Sequence, residues 1–267
     1  MSAMDYLEHN RRAWNRQSRT GCVWSQPVSP ETIAQARAGA WSVILTPVRP
    51  VPRDWFGDVR GRRVLCLASG GGQQAPILAA AGARVTSYDL SDEQLERDRE
   101  VAAREGLDIA CVRGDMADLS ELADSSFDLT FHPVSNVFAP DVLPLWRECH
   151  RVLRPGGALL AGFMNPAIYL FEDGEVERTG ELVVRRKLPF SDLADLPPDV
   201  LERRIAAGEP LEFSHSLETQ IGGQLAAGFV LTNFFEDRWF DDTFVFSRHS
   251  PIAFATRAVK PPLEQAR

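Results

Sequence analysis

Three consecutive glycines, Gly70, Gly71 and Gly72, close the apolar run Val64-Leu65-Cys66-Leu67-Ala68, and a carboxylate, Asp89, follows about 20 residues on. Glycine lets the backbone turn sharply and lets a ligand approach closely. The first amides of a helix that starts at such a turn are unpaired and face whatever lies in front of them. An acid at the end of the next strand can accept hydrogen bonds from ribose hydroxyls. The combination predicts a cradle for a nucleotide-like cofactor. Metal chemistry is not expected, because the five histidines (His9, His132, His150, His215, His249) show no ligand spacing with Cys, Asp or Glu.

The elements that must position this cradle follow from the pattern around it. From residue 63 onward, strand-like and helix-like segments alternate: strands over 64–68, 84–88, 109–113, 127–132 and 158–163, and helices over 73–81, 92–105 and 141–153. Gly82 and Gly106 end two of the helices, and Ser91 with Asp92 and Glu93 opens one. Such an order predicts a mostly parallel sheet with helices on both faces. Ahead of it, residues 5–18 read as a helix capped by Ser2. Ser29-Pro30-Glu31 opens a second helix that is expected to run to about residue 45. Residues 164–213, rich in Pro and Gly, read as an inserted stretch of hairpin and loop. A helix over 217–227 and strands over 229–236 and 252–257 end the chain, the last two as an antiparallel pair. The expectation is one domain: a cap (1–58), a cofactor-binding core (59–163), an inserted lid (164–213) and a closing helix and strand pair (214–267).

Composition narrows the setting. Of 267 residues 44% are hydrophobic and 25% charged, enough for one sizeable core, and the net charge is -8. That balance argues against nucleic acid as the main partner, since phosphate binding favours a basic face. The four cysteines form no CxxC pair, and Cys66 and Cys111, in strand-like apolar runs, read as buried free thiols, which fits a reducing compartment. The first ten residues lack the apolar core of a secretory leader, and no run is long enough to span a membrane. A cytoplasmic location is expected.

The loop and Asp89 alone suit two cofactors. A dinucleotide dehydrogenase satisfies G-x-G-x-x-G/A, and so does a class I S-adenosylmethionine (SAM) methyltransferase. Two further stretches favour the second. Arg113-Gly114-Asp115-Met116 resembles the methyltransferase pattern in which an Asp takes the adenine amino group and its neighbour packs on the ring. Arg151-Val152-Leu153-Arg154-Pro155-Gly156-Gly157 resembles the "RVLKPGG" segment of that family. Some 60 residues also precede the loop, whereas a dehydrogenase fingerprint often lies near the chain start. The sequence is therefore identified as similar to class I SAM-dependent methyltransferases over about residues 60–164, in a bacterial branch marked by "LASGGGQQAPILAAAGA". It departs from the common "DLGCGTG" pattern: Cys66 stands where an acid is usual, and Ala68 replaces the first glycine. Gln73 or Gln74 is a candidate to replace the missing acid, since amides both donate and accept.

The resemblance implies a three-layer, Rossmann-like α/β sandwich. Its seven-stranded sheet is mostly parallel with one antiparallel strand, under an N-terminal helical cap. It implies SAM as cofactor and S-adenosylhomocysteine as product. It implies contacts from Ala68, Ser69, Gly70, Gly72, Gln74, Asp89, Leu90, Asp115, Met116 and His132. The end of the fourth strand borders the transferable methyl in this family. His132 is thus a candidate base or substrate-orienting group, or else a backbone-bonded histidine that shapes the pocket. Asn136 either orients substrate or holds the loop. For the acceptor, a small molecule, the candidates are Trp14, Trp24, Tyr169 and His215, each with ordinary packing or capping as the alternative. Asn165-Pro166-Ala167-Ile168-Tyr169 is similar to the NPPY motif of amino-group DNA methyltransferases, but it follows the fifth strand instead of the fourth and is not carried over. The second reading is a SAM-binding protein with a regulatory role; the third is an NAD-dependent oxidoreductase.

Overall fold

The computed structural model describes residues 5–239 and 244–262. Its centre is a seven-stranded sheet in the order β3-β2-β1-β4-β5-β7-β6. The strands are β1 (Arg63–Leu67), β2 (Arg84–Asp89), β3 (Ile109–Arg113), β4 (Phe127–His132), β5 (Leu153–Met164), β6 (Val230–Asp237) and β7 (Ala253–Val259). β1 to β5 pair in parallel, and β7 runs antiparallel to both β5 and β6. The central strands read as unbroken apolar runs because both of their faces are covered. All six residues of β4 are buried. Alternation splits them between two cores. On one face Val64, Cys66, Leu129 and Phe131 meet Ile33, Trp55, Phe56, Leu78 and Val101. On the other, Leu65, Leu67 and Leu159 meet Trp146, Cys149 and Val152.

The helices that position the cleft are α1 (Tyr6–Arg19), α2 (Pro30–Arg37), α3 (Gln74–Ala80), α4 (Asp92–Glu105) and α5 (Leu143–Val152). α6 (Asp173–Thr179), α7 (Asp192–Asp195) and α8 (Pro198–Ala207) follow, and α9 (Gly223–Ala226) comes after a wide π-type turn. β1 lies between β2 and β4, so the strand order reverses at β1, and a crevice opens beyond the carboxyl ends of these strands.

Several elements differ from their expected form. Ser2 lies outside the described residues; Asp5 caps α1, its Oδ1 accepting from the Glu8 amide at 3.1 Å. α2 stops at Arg37 instead of about residue 45, because Gly39 takes φ +89° and the chain turns into an extended crossing. In that crossing Ile44 pairs across to Pro50 and donates its amide to Gln74 Oε1. β5 starts earlier than expected, at Leu153, because Gly156 and Gly157 pair with Lys260 beyond the end of β7. Residues 164–213 contain short helices where hairpin and loop were expected. Two of the prolines that read as breaks, Pro166 and Pro198, stand in the first turn of a helix, where a missing N–H costs nothing.

Candidate active site

The crevice is a cleft of about 430 Å³. One half is built from Ala68, Ser69 and Gly70 after β1, Asp89 and Leu90 after β2, and Gly114, Asp115 and Met116 after β3. These segments come together because parallel strands deliver their carboxyl ends to one edge of the sheet. Ala68 has φ +46°, a left-handed conformation that costs a non-glycine residue about 1 kcal/mol or more. Its amide is fixed by the Tyr88 carbonyl at 2.8 Å. Ser69 is buried, and its Oγ has no hydrogen-bond partner among the described residues. Asp89 Oδ1 accepts from the Ser91 amide at 2.8 Å. Loss of solvation, with the Asp98 charge behind it, pushes the Asp89 carboxyl up to about 7. Asp115 is also pushed up by burial, and its Oδ1 accepts from the Ala117 amide at 3.0 Å.

The three glycines have a cause that the sequence did not reveal. A Cβ on Gly70 would lie 2.5 Å from the Trp24 carbonyl oxygen, and one on Gly72 would lie 2.9 Å from Pro27 Cα. A Cβ on Gly71 would overlap the Gln94 carbonyl. The loop is clasped by the chain itself: Gly71 donates to the Trp24 carbonyl, and Val28 donates to the Gly72 carbonyl. Gln73 Nε2 donates to the carbonyls of Val23 and Gln26. Gln73 is therefore spent on holding residues 23–26. Gln74 lines the cleft while its Oε1 holds Ile44.

Three expected site residues are absent from the cleft wall. His132 is fully buried on the α5 side of β4, its ring edge-on to Trp146 at 6.0 Å. Its Nδ1 lies 2.9 Å from the Leu67 carbonyl, which can only accept, so Nδ1 carries the proton. Burial pushes its pKa down to about 4, so it is neutral near pH 7. Residues alternate along a strand, so the base role expected of His132 fails on facing alone; it steadies the start of the glycine turn through Leu67. Asn136 is buried and trades amide hydrogen bonds with Gln220 at 3.1 and 3.3 Å. His215 is buried, with Nε2 against the carbonyls of Asn136 and Ala139 at 3.2 and 2.9 Å. Both hold the turn after β4, and neither the catalytic role of Asn136 nor the acceptor role of His215 fits that placement.

Trp14, Trp24 and Tyr169 do reach the cleft. Trp14 meets Phe138 edge to face with centroids 4.9 Å apart. Much of the other half was missed in the sequence. It is formed by Leu7 from the cap, Leu45 to Pro47 from the proline-rich crossing, Val134 after β4, and Met164, Ile168, Trp239, Phe244 and Ile252 from later segments. Glu212 is the charged side chain among the described residues of this half, and the Tyr169 hydroxyl donates to its Oε2 at 2.8 Å. Arg204 lies 3.8 Å from its other oxygen. Pro47 marked the crossing, but no local pattern marks isolated apolar residues from distant loops as one wall.

Comparison with known proteins agrees with this geometry. A family profile described as "Methyltransferase domain" matches residues 65–161. The chain is 48% identical over 254 residues to the uncharacterized methyltransferase YbaJ of Bacillus subtilis (strain 168), covering 95% of this chain and 98% of that one. Among solved structures, an S-adenosylmethionine dependent methyltransferase from Mesorhizobium loti superposes with a TM-score of 0.60 at 22% identity, over 78% of this chain and 94% of that one. A methyltransferase from the complex with the Haloferax volcanii Trm112 activator gives 0.58 at 16% identity, over 97% and 99%. The dinucleotide reading of the glycine loop is thereby set aside, and the cofactor is SAM. With its switch-point cleft, its strand order and a relative alike over nearly its whole length, the chain belongs to the SAM-dependent methyltransferase family.

Proposed function

We propose that this enzyme transfers the methyl group of SAM to an O, N or C nucleophile of a small, largely apolar acceptor in the cytoplasm. The observation that carries this reading is the second half of the cleft: a largely apolar wall with few polar groups, among them the Tyr169–Glu212 pair. Apolar walls with few oriented polar groups favour small organic ligands.

The cofactor half supports SAM on its own features. Asp89 is a desolvated carboxylate in need of donors, which ribose hydroxyls supply. Ser69 Oγ is a buried polar atom without a partner among the described residues. Asp115 and Met116 suit the adenine, and Ala68, Gly70, Gln74 and Leu90 complete the wall. When bound, SAM supplies a methyl group on a sulfonium, open to displacement in line with the leaving sulfur. The chain's part is to align the acceptor and to exclude water. The Tyr169 hydroxyl donates to Glu212, and the pair is the polar point that orients the acceptor. Glu212 is the candidate to take the proton released. The cap (1–58) and the insertion (164–213) choose the acceptor.

The placement of His132 favours a second reading, a SAM-binding protein without turnover, because the expected base is absent from the wall. A nucleophile that needs no base removes this objection.

The test is S-adenosylhomocysteine release from SAM with a panel of apolar phenols and amines against polar anionic acceptors. Stimulation by the apolar set is expected. Ile168→Arg should remove that stimulation at least tenfold while changing S-adenosylhomocysteine affinity less than twofold. Preference for the anionic set defeats the apolar reading, and tight SAM binding without release under any acceptor favours the second one.

A further inference from the structure

Asp98, on α4, has no exposed surface, yet it carries an ionisable carboxyl. Its two oxygens are divided between two elements. Oδ1 accepts from the Gly72 amide at 2.7 Å, and Oδ2 accepts from the Ser87 hydroxyl of β2 at 2.6 Å. Cys66 of β1 pairs in register with Ser87, and its thiol is pushed up by burial and by the Asp98 charge. No ion pair with Asp98 is found among the described residues. A buried charge costs several kcal/mol unless its partners hold it well. Here the partners are one loop amide and one hydroxyl, and bonds from donors to a charged acceptor are the stronger kind.

The glycine turn needs such a tie. Gly70 and Gly72 take φ +73° and +76° and have no side chains with which to lock that shape. From the cap side the turn is clasped by residues 23–28, and from the sheet side by Asp98.

We propose that Asp98 is the positioning residue of the SAM loop, its carboxylate reaching from α4 to stand in for the acid that the common family pattern carries at the Cys66 position. Two placements of one charge behind the same turn are interchangeable in principle, because Cys66 pairs in register with Ser87, whose hydroxyl already holds Asp98. Titration is consistent with the role. Burial pushes Asp98 up to about 6, against the Ser87 and Gly72 bonds and the nearby Arg99, so it is ionised at pH 7.5. The other titratable groups around it are Asp89 on β2, Cys66 on β1 and Cys111 on β3. Both thiols are pushed up and are uncharged at that pH.

The experiment compares wild type, Asp98→Asn, Cys66→Asp and the Cys66→Asp/Asp98→Asn double variant at pH 7.5. Calorimetry reads S-adenosylhomocysteine affinity, and amide exchange reads Gly72 in the ligand-free protein. Asp98→Asn should weaken binding at least tenfold and speed Gly72 exchange. Cys66→Asp alone should also weaken binding, since two carboxylates then share one dry site. The double variant should recover to within threefold of wild type. Asp98→Asn binding within twofold of wild type overturns the proposal, as does a double variant no tighter than Asp98→Asn. If Asp98→Asn does not fold, Ser87→Ala loosens the same carboxylate from its second anchor. It should weaken binding at least threefold, and unchanged affinity there overturns the proposal equally.

Discussion

Asp89, proposed to hold the ribose, works against the stability of the empty protein. Its carboxyl is pushed up to about 7, far above the ordinary value near 4. Between those two values the folded state binds more protons than the unfolded state, so stability falls as pH rises. The penalty accrues from about pH 4 and is complete a little above pH 7. Asp89→Asn should therefore raise the ligand-free melting temperature at pH 8 and leave it nearly unchanged at pH 4. The same variant should weaken S-adenosylhomocysteine about 10- to 100-fold at pH 8, the worth of hydrogen bonds to a charged group. Thermal melts and calorimetry at both pH values check the two signs together. A variant that loses affinity without gaining stability would place the raised pKa elsewhere. In the wild type, affinity should rise from pH 5 to pH 8 as the carboxylate ionises.

At the scale of elements, the glycine turn is a joint between the cap and the core. Gly70 approaches the cap and Gly71 approaches α4, so alanine at the two positions should have different effects. Gly70→Ala drives a Cβ into the Trp24 carbonyl and should release residues 23–28 while the core stays folded. Gly71→Ala strikes the Gln94 carbonyl and should lower global stability by about 1–3 kcal/mol through overpacking. Amide exchange of residues 23–28 and denaturant unfolding distinguish the two. Equal behaviour of both variants would mean that the clasp is not divided this way. The turn itself was legible in the sequence, because three glycines after an apolar run have few other uses. Its reason was not: the close approach that excludes side chains comes from Trp24 and Pro27, some 45 residues away in the chain.

For the whole molecule, α1, which brings Leu7 and Trp14 to the cleft, is held more by polar contacts than by buried apolar residues. The buried residues of α1 are Asn10, Ala13, Asn15 and Ser18. Asn15 Oδ1 accepts from Ser91 Oγ and from the Glu93 amide, while Arg11 pairs with Asp92 at 2.8 Å and Arg19 with Glu93 at 2.6 Å. Asn10 bonds to Leu211 and Phe138, tying the cap to the insertion and to the turn after β4. Partly exposed ion pairs contribute little each and are screened by salt. α1 should therefore open well below the free energy of global unfolding. Raising salt from 0.05 to about 0.5 M should speed amide exchange in α1 but not in β4. S-adenosylhomocysteine should slow exchange in α1 and in residues 165–171 together, and protection confined to the strand ends would show that these segments do not close over the ligand.

The sheet, its closing antiparallel pair and the strand ends that line one half of the cleft were written in local pattern. Val64 to Leu67, Asp89 and Asp115 mark strand ends by residue type and spacing, and parallel strands carry those ends to one edge. Facing and long-range approach were not written there. His132 ends a strand at the correct position, but its ring turns toward Trp146, because every second residue of β4 faces α5. The apolar wall of the cleft joins residues from Leu7 to Ile252, and Asp98 reaches the glycine turn from another element. Such contacts join positions far apart in sequence, and only the packing of helices onto the sheet fixes which of them meet.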